Sequence, residues 1–257
     1  MANTPYPESY YAASANVAPP RPTLQDDVET DVCVIGAGYT GLSSALFLLE
    51  NGFRVTVLEA AKVGFGASGR NGGQIVNSYS RDIDVIERSV GPKQAQLLGQ
   101  MAFEGGRIIR ERVAKYNIQC DLKDGGVFAA ITAKQMGHLE SQKRLWERFG
   151  HTQLELLDQR RIREVVACDQ YVGGMLDMSG GHIHPLNLVL GEAAAVESWA
   201  ELFTSSRQRC ASSAAPIRWC IRLRARSGPN SSSSPATLTS AIWCRSWQPS
   251  RCPAGLK

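Results

Sequence analysis

Three glycines, Gly36, Gly38 and Gly41, stand in the spacing Gly-x-Gly-x-x-Gly, with Ala37, Tyr39 and Thr40 between them. The chemistry this spacing can do is to bring backbone against a diphosphate. The first glycine allows a tight turn, the second lets the backbone approach the pyrophosphate, and the third lets helix and strand pack closely. Glu59 lies about 20 residues further on, where an acidic side chain takes ribose hydroxyls in dinucleotide-binding units. A second glycine-rich stretch follows, Gly64-Phe65-Gly66-Ala67-Ser68-Gly69-Arg70-Asn71-Gly72-Gly73-Gln74. Five glycines within ten residues cannot form a strand or a helix interior. Arg, Asn and Ser interleaved with them argue for a loop lying against a ligand rather than a linker.

The elements around the first pattern decide whether it is more than chance. Val32-Cys33-Val34-Ile35 reads as a short buried strand running into the glycine turn. Leu42 to Glu50 has helical composition, Gly52 closes that helix, and Arg54 to Glu59 reads as a second parallel strand. Strand, glycine turn, helix and strand ending in an acid form the context of a dinucleotide-binding fingerprint. The helix N-terminus offers N–H groups and a positive dipole end to phosphate. From Arg81 to Tyr116 apolar residues recur at helical spacing with a break at Gly91-Pro92, so two helices are expected. Gly105-Gly106 inside the second suggests close approach of another backbone. Two strands, Ile118–Lys123 and Gly126–Ile131, are expected to form a hairpin about Asp124-Gly125. An amphipathic helix over Ala133–Phe149, a short helix within Leu156–Val166, a strand over Tyr171–Met178 and a helix from about Leu186 to Glu197 complete the reading. The expected architecture is α/β: a Rossmann-type unit over 30–116, with its loop at 64–74, and part of an α+β substrate domain over 117–198. Residues 1–29 read as a Pro-rich, partly ordered lead-in.

Other constellations point to less. His182-x-His184 has metal-ligand composition, but no third ligand cluster accompanies it, so structural or substrate-pocket histidines are expected and no metal. No Ser/His/Asp or paired-carboxylate arrangement stands out, which leaves the chemistry to a cofactor. The seven cysteines contain no Cys-x-x-Cys pair, and Cys33, Cys120 and Cys168 read as core thiols, fitting a reducing cytoplasm. There is no apolar run of 18 residues and no basic segment followed by an apolar one at the N-terminus, so neither a membrane span nor a secretory signal is expected.

The two glycine-rich stretches, 36–41 and 66–74, resemble the FAD-dependent amine and D-amino-acid oxidase family. Tyr10-Tyr11-Ala12-Ala13-Ser14-Ala15-Asn16 and Gly180-Gly181-His182-Ile183-His184-Pro185 resemble the branch of it that acts in polyamine breakdown. The resemblance covers roughly residues 8–198 and implies FAD as cofactor. It implies Gly36, Ala37, Gly38, Tyr39, Thr40 and Gly41 at the pyrophosphate and Glu59 at the adenosine ribose. It further implies Ala67, Ser68, Arg70, Asn71, Gly72, Gly73 and Gln74 along the pyrophosphate and isoalloxazine. The implied reaction is oxidation of a small-molecule amine by hydride transfer to flavin N5, with dioxygen reduced to hydrogen peroxide. A D-amino-acid or glycine-type oxidase is the neighbouring alternative, and a non-catalytic flavin-binding fragment the alternative from another class.

Residues 199–257 have a different character. They hold nine basic residues against the single Glu201, four of the five tryptophans, four of the seven cysteines and twelve serines, with no valine or tyrosine. A disordered tail is normally poor in Trp and Cys. Out-of-frame translation explains the composition better. Synonymous codons exist whose hidden frame turns Ser231–Thr237 into an aliphatic run ending in Ala-Gly-Asn. The junction is expected near Ser198, leaving the domain incomplete, and the basic charge is then an accident of coding rather than a nucleic-acid surface.

Overall fold

The computed structural model describes residues 5–24 and 28–199, with the backbone of 203–205 and 222–223. The order of elements is α1 (Tyr10–Ala13), β1 (Glu29–Thr30), β2 (Val32–Ile35), α2 (Tyr39–Glu50), β3 (Val55–Glu59), a 3-10 turn (Ala67–Gly69), β4 (Gln74–Ile75), α3 (Ile83–Val90), α4 (Pro92–Lys115), β5 (Lys123–Ala130), α5 (Ala133–Arg148), β6 (Leu154–Asp158), α6 (Gln159–Val165), β7 (Gly173–His182), α7 (Pro185–Trp199), β8 (Phe203–Ser205) and β9 (Arg222–Leu223). The chain forms two compact units: Pro20–Lys62 with the described residues from Val196 onward, and Pro5–Pro19 with Val63–Ala195. The division thus falls after Lys62, whereas the sequence reading divides the chain at 116. The physical reason is the core of the second unit. Ile83 and Ala95, from α3 and α4, pack with Trp146, Phe149, Leu154 and Met175, so 63–116 shares its apolar interior with the segment that follows.

In the first unit β2 and β3 pair in parallel, Val32 opposite Val55 through Ile35 opposite Leu58. The backbone of β8 pairs in parallel with the far edge of β3, giving the order β2-β3-β8. Parallel neighbours need a crossover, and α2 supplies it, burying Leu42, Ala45, Leu46 and Leu49. That spacing of three, one and three residues is one face of a helix. Each leucine so buried contributes roughly 1.5–3 kcal/mol. β2 is less enclosed than its composition suggests: Val32, Cys33 and Val34 are half-buried and Ile35 is 72% exposed. Among the described residues β2 pairs with β3 alone within this sheet, and a parallel strand is fully buried only when both faces are covered.

The second unit is built on β7. β5 runs antiparallel along one edge, Lys123 opposite His182 through Ala130 opposite Gly173. β6 pairs with 173–177 and β4 with 181–182. The hairpin expected about Asp124-Gly125 is not formed. Both sides of that dipeptide pair with β7, and the register shifts between Asp124 and Gly126, which makes it a bulge within one strand. Residues 117–122 form an irregular approach in which Asn117 and Asp121 adopt positive φ. The break between α3 and α4 does fall at Gly91-Pro92, with Pro92 in the first turn, where its missing N–H costs nothing. At Gly106 the close neighbours are side chains, Asn77 and Ile75, rather than another backbone, and a Cβ at Gly105 would meet nothing. Of the expected core thiols Cys120 is buried, while Cys33 and Cys168 are partly so. No helix of the described residues is long and apolar enough to cross a membrane. The expected out-of-frame segment, apart from Trp199 and the backbone of β8 and β9, lies outside the described residues.

Candidate cofactor site

The turn between β2 and α2 is made almost wholly from backbone. Gly36 adopts φ +103°, and its N–H donates to the Leu58 carbonyl at 2.7 Å. A Cβ at Gly41 would stand 1.9 Å from the Gly36 carbonyl oxygen, so only glycine allows α2 to leave the turn at this angle. Gly38 is the N-cap; it brings no capping side chain, and the first turn of α2 carries no acidic residue. A helix start of this kind keeps its positive end available to an anion. A Cβ at Gly36 would meet nothing within 4 Å, so the backbone there lies open on its outer side. Glu59, at the end of β3, accepts from Ala37 N–H at 2.8 Å and Ala61 N–H at 2.9 Å. The turn 36–41 and Glu59 are thus joined through Ala37, which is fully buried, while Thr40 is exposed. These residues fit a dinucleotide.

Within the second unit the loop 64–74 is a built structure and not a linker. Asn71 organises it: its Nδ2 donates to the carbonyls of Ala67 (3.2 Å) and Ser68 (2.8 Å), and its Oδ1 accepts from Gly73 N–H (2.9 Å). Arg70 Nε donates to Gly66 O at 3.1 Å, with the residue exposed. Gly73 has φ +75°, a Cβ there would lie 2.2 Å from Ile183 O, and its own carbonyl accepts from Ile183 N–H at 2.9 Å. The side chains of Leu186 and Val189 on α7 close over Gly69 and Gly64. Gln74 is exposed on β4 opposite His182. The loop is thereby seated on the first turns of α7.

The two histidines of His182-x-His184 part company. His182 is exposed at the end of β7, whereas His184 is 6% exposed. His184 Nδ1 accepts from Asn187 N–H at 3.1 Å, acting as the N-cap of α7. Among the described residues no three of His, Cys, Asp and Glu are grouped as metal ligands.

Two buried polar groupings carry no signal in sequence, because their members lie far apart along the chain. Asn77, His151, Asp177 and Ser179 form the first. Asp177 Oδ1 faces His151 Nε2 at 3.2 Å and accepts from Ser179 Oγ at 2.8 Å, while Oδ2 accepts from Asn77 Nδ2 at 3.2 Å. Burial pushes the Asp177 carboxyl up, but the hydrogen bonds from His151, Ser179 and Asn77 outweigh it and hold the group at about 2. One imidazole nitrogen serves both Ser179 and Asp177, so this is not a nucleophilic relay, which needs the two on opposite ring nitrogens. The second grouping is the buried Glu192 with the partly buried Arg112, 3.3 Å apart. Burial raises the Glu192 carboxyl to about 7 against the pull of Arg112. Burial likewise lifts the Cys120 thiol to about 11, so it is no nucleophile.

A Gly-x-Gly-x-x-Gly turn on a β-α-β unit is the pattern of the dinucleotide-binding class of proteins. The chain belongs to the FAD-dependent oxidoreductase family (DAO), whose pattern matches residues 31–209. Over 193 residues it is 62% identical to gamma-glutamylputrescine oxidoreductase of Escherichia coli (strain K12), covering 75% of this chain and 45% of that protein. It is 44% identical over 211 residues to the probable oxidoreductase OrdL of Haemophilus influenzae, covering 80% and 49%. The chain spans about half the length of the curated relatives it matches. In fold it resembles glycine oxidase from Geobacillus kaustophilus (TM-score 0.53, 19% identity, 70% of this chain and 46% of that one). It also resembles L-amino acid deaminase from Proteus myxofaciens (TM-score 0.58, 18% identity, 71% and 40%).

Proposed function

We propose that the chain is the FAD-binding portion of an amine oxidoreductase acting on gamma-glutamylputrescine, or an amine of that shape, in polyamine breakdown in the cytoplasm. The observation that carries this is the 62% identity to the Escherichia coli enzyme of that name. In this reading Gly36, Ala37, Gly38, Tyr39, Thr40 and Gly41 present backbone to the pyrophosphate, and Glu59 takes the adenosine ribose hydroxyls. Ala67, Ser68, Arg70, Asn71, Gly72, Gly73 and Gln74 line the pyrophosphate and the isoalloxazine. The chemistry supplied by the bound flavin is acceptance of a hydride from the carbon bearing a neutral amine, with the electrons passed on to dioxygen as hydrogen peroxide. The chain's own part is to bind and to orient. The α2 N-terminus, uncapped by any side chain, offsets phosphate charge, and the glycines keep Cβ atoms out of the way of the ligand.

The test is direct. Purified chain is incubated with FAD, desalted and scanned through the visible range, then supplied with gamma-glutamylputrescine while peroxide is measured. Retained flavin bands with substrate-dependent peroxide are expected of a competent enzyme. Retained flavin without peroxide would reduce the reading to a cofactor-binding fragment, and a colourless protein would remove it. The out-of-frame reading of 199–257 is tested separately by the gene's nucleotides: the minus-one frame after codon 198 should read as an α/β sequence.

A further inference from the structure

Residues 5–16 lie on the surface of the second unit, and none of the four residues of α1 is buried. A segment with so little burial adds little to the core, yet its polar contacts are specific and converge on one place. Tyr6 Oη donates to Val63 O at 2.7 Å, and its ring stacks on Phe65 at 6.4 Å, where the loop 64–74 begins. Eight residues on, Ser14 Oγ donates to Tyr10 O at 2.6 Å and meets His184 Nε2 at 3.1 Å. Asn16 N–H donates to Asn187 Oδ1 at 2.8 Å, and Asn16 Nδ2 donates to Gln119 O at 2.7 Å. The ring of Tyr11 stands edge-on to His184 at 5.2 Å.

The proton arrangement is fixed by these partners. Ser14 has one hydroxyl proton and gives it to Tyr10 O. Asn187 N–H occupies His184 Nδ1, so His184 carries its proton on Nε2 and donates it to Ser14. Every group in the chain of contacts has a partner of the right kind. His184 directly follows Ile183, whose backbone N–H holds the Gly73 carbonyl at the far end of the loop. The segment therefore grips the loop where it begins, through Tyr6, and the seat where it ends, through Ser14 and Asn16.

We propose that residues 5–16 are a strap that fixes the geometry of loop 64–74, with Tyr6, Ser14 and His184 as positioning residues for the FAD that this loop takes. The proposal rests on the cofactor reading above, and its test separates the two. Tyr6→Phe and Ser14→Ala each remove one hydroxyl and leave the core untouched. Each loses a hydrogen bond, so each is expected to weaken FAD binding by about three- to tenfold, and the double variant by more. The melting temperature without FAD should fall by no more than about 4 °C, the cost of one lost hydrogen bond in a chain of this size. A second readout needs no cofactor: trypsin cleavage after the exposed Arg70, which should be faster in both variants. Unchanged FAD affinity and unchanged cleavage would overturn the strap, as would a fall in melting temperature well beyond about 4 °C, which would mark general unfolding rather than a loosened loop. If the unchanged chain takes no FAD, the cofactor reading fails alone, and the cleavage rates still support or overturn the strap.

Discussion

The two glycine-rich segments of this chain meet similar demands by different means. The turn 36–41 is held by contacts among residues at most 22 positions apart: Gly36 to Leu58, Ala37 to Glu59, and the close approach of Gly41 to Gly36. The loop 64–74 is held internally by Asn71, and from outside by Ile183, Leu186 and Val189, more than a hundred residues away. The first is a local motif that any β-α-β unit can carry; the second exists only once the rest of its unit has folded. Backbone geometry sets the rigidity of one, tertiary packing that of the other.

That contrast can be broken most severely at Gly41. Gly41→Ala drives a Cβ into a main-chain oxygen that cannot move without dismantling the turn. Urea unfolding is expected to show a loss of about 4 kcal/mol, and flavin retention should vanish. Protection of β7 in hydrogen exchange should persist if the second unit holds itself together.

The pH dependence sharpens the contrast, because its largest contribution belongs to the second unit. Glu192 binds its proton more tightly folded, at about 7, than unfolded. Its contribution is therefore fully present below the unfolded value and is lost as pH rises through about 7. By about 1.4 kcal/mol per pH step, this is a loss on the order of 3 kcal/mol. Asp177 acts in the opposite sense further down, its contribution disappearing as pH falls from about 4 towards 2. Chemical denaturation from pH 4.5 to 8 should show the decline, and Glu192→Gln should flatten it.

The smallest effect is expected at Asn71. Asn71→Ala removes the three hydrogen bonds that shape the loop but leaves it pressed on α7, so a loss of about 1–2 kcal/mol is expected. Cleavage after Arg70 should accelerate. The result that would sink the distinction is an equal effect from Asn71→Ala and Gly41→Ala.

What could be read in the sequence follows the same division. The Rossmann-type turn, α2, β3 and Glu59 were legible because each rests on local rules of glycine spacing, helical periodicity and a terminal acid. The break at Gly91-Pro92 was legible for the same reason. Asp124-Gly125 was misread because a turn dipeptide and a bulge share their composition, and only pairing of both flanks with β7 distinguishes them. The sharing of 63–116 with the second unit turned on which apolar faces meet. No local pattern carries that information.

By itself, then, the sequence determined where the backbone turns tightly and α2 leaves it, since that depends on the absence of Cβ atoms at fixed spacing. It also placed His184 beside a helix start. Only the tertiary structure decided that His184 caps α7, that hydrogen bonds hold Asp177 at about 2 while burial lifts Glu192 to about 7, and that a surface segment near the N-terminus reaches the second loop. Desolvation and long-range hydrogen bonds depend on what surrounds a side chain in space, which its neighbours along the chain do not specify.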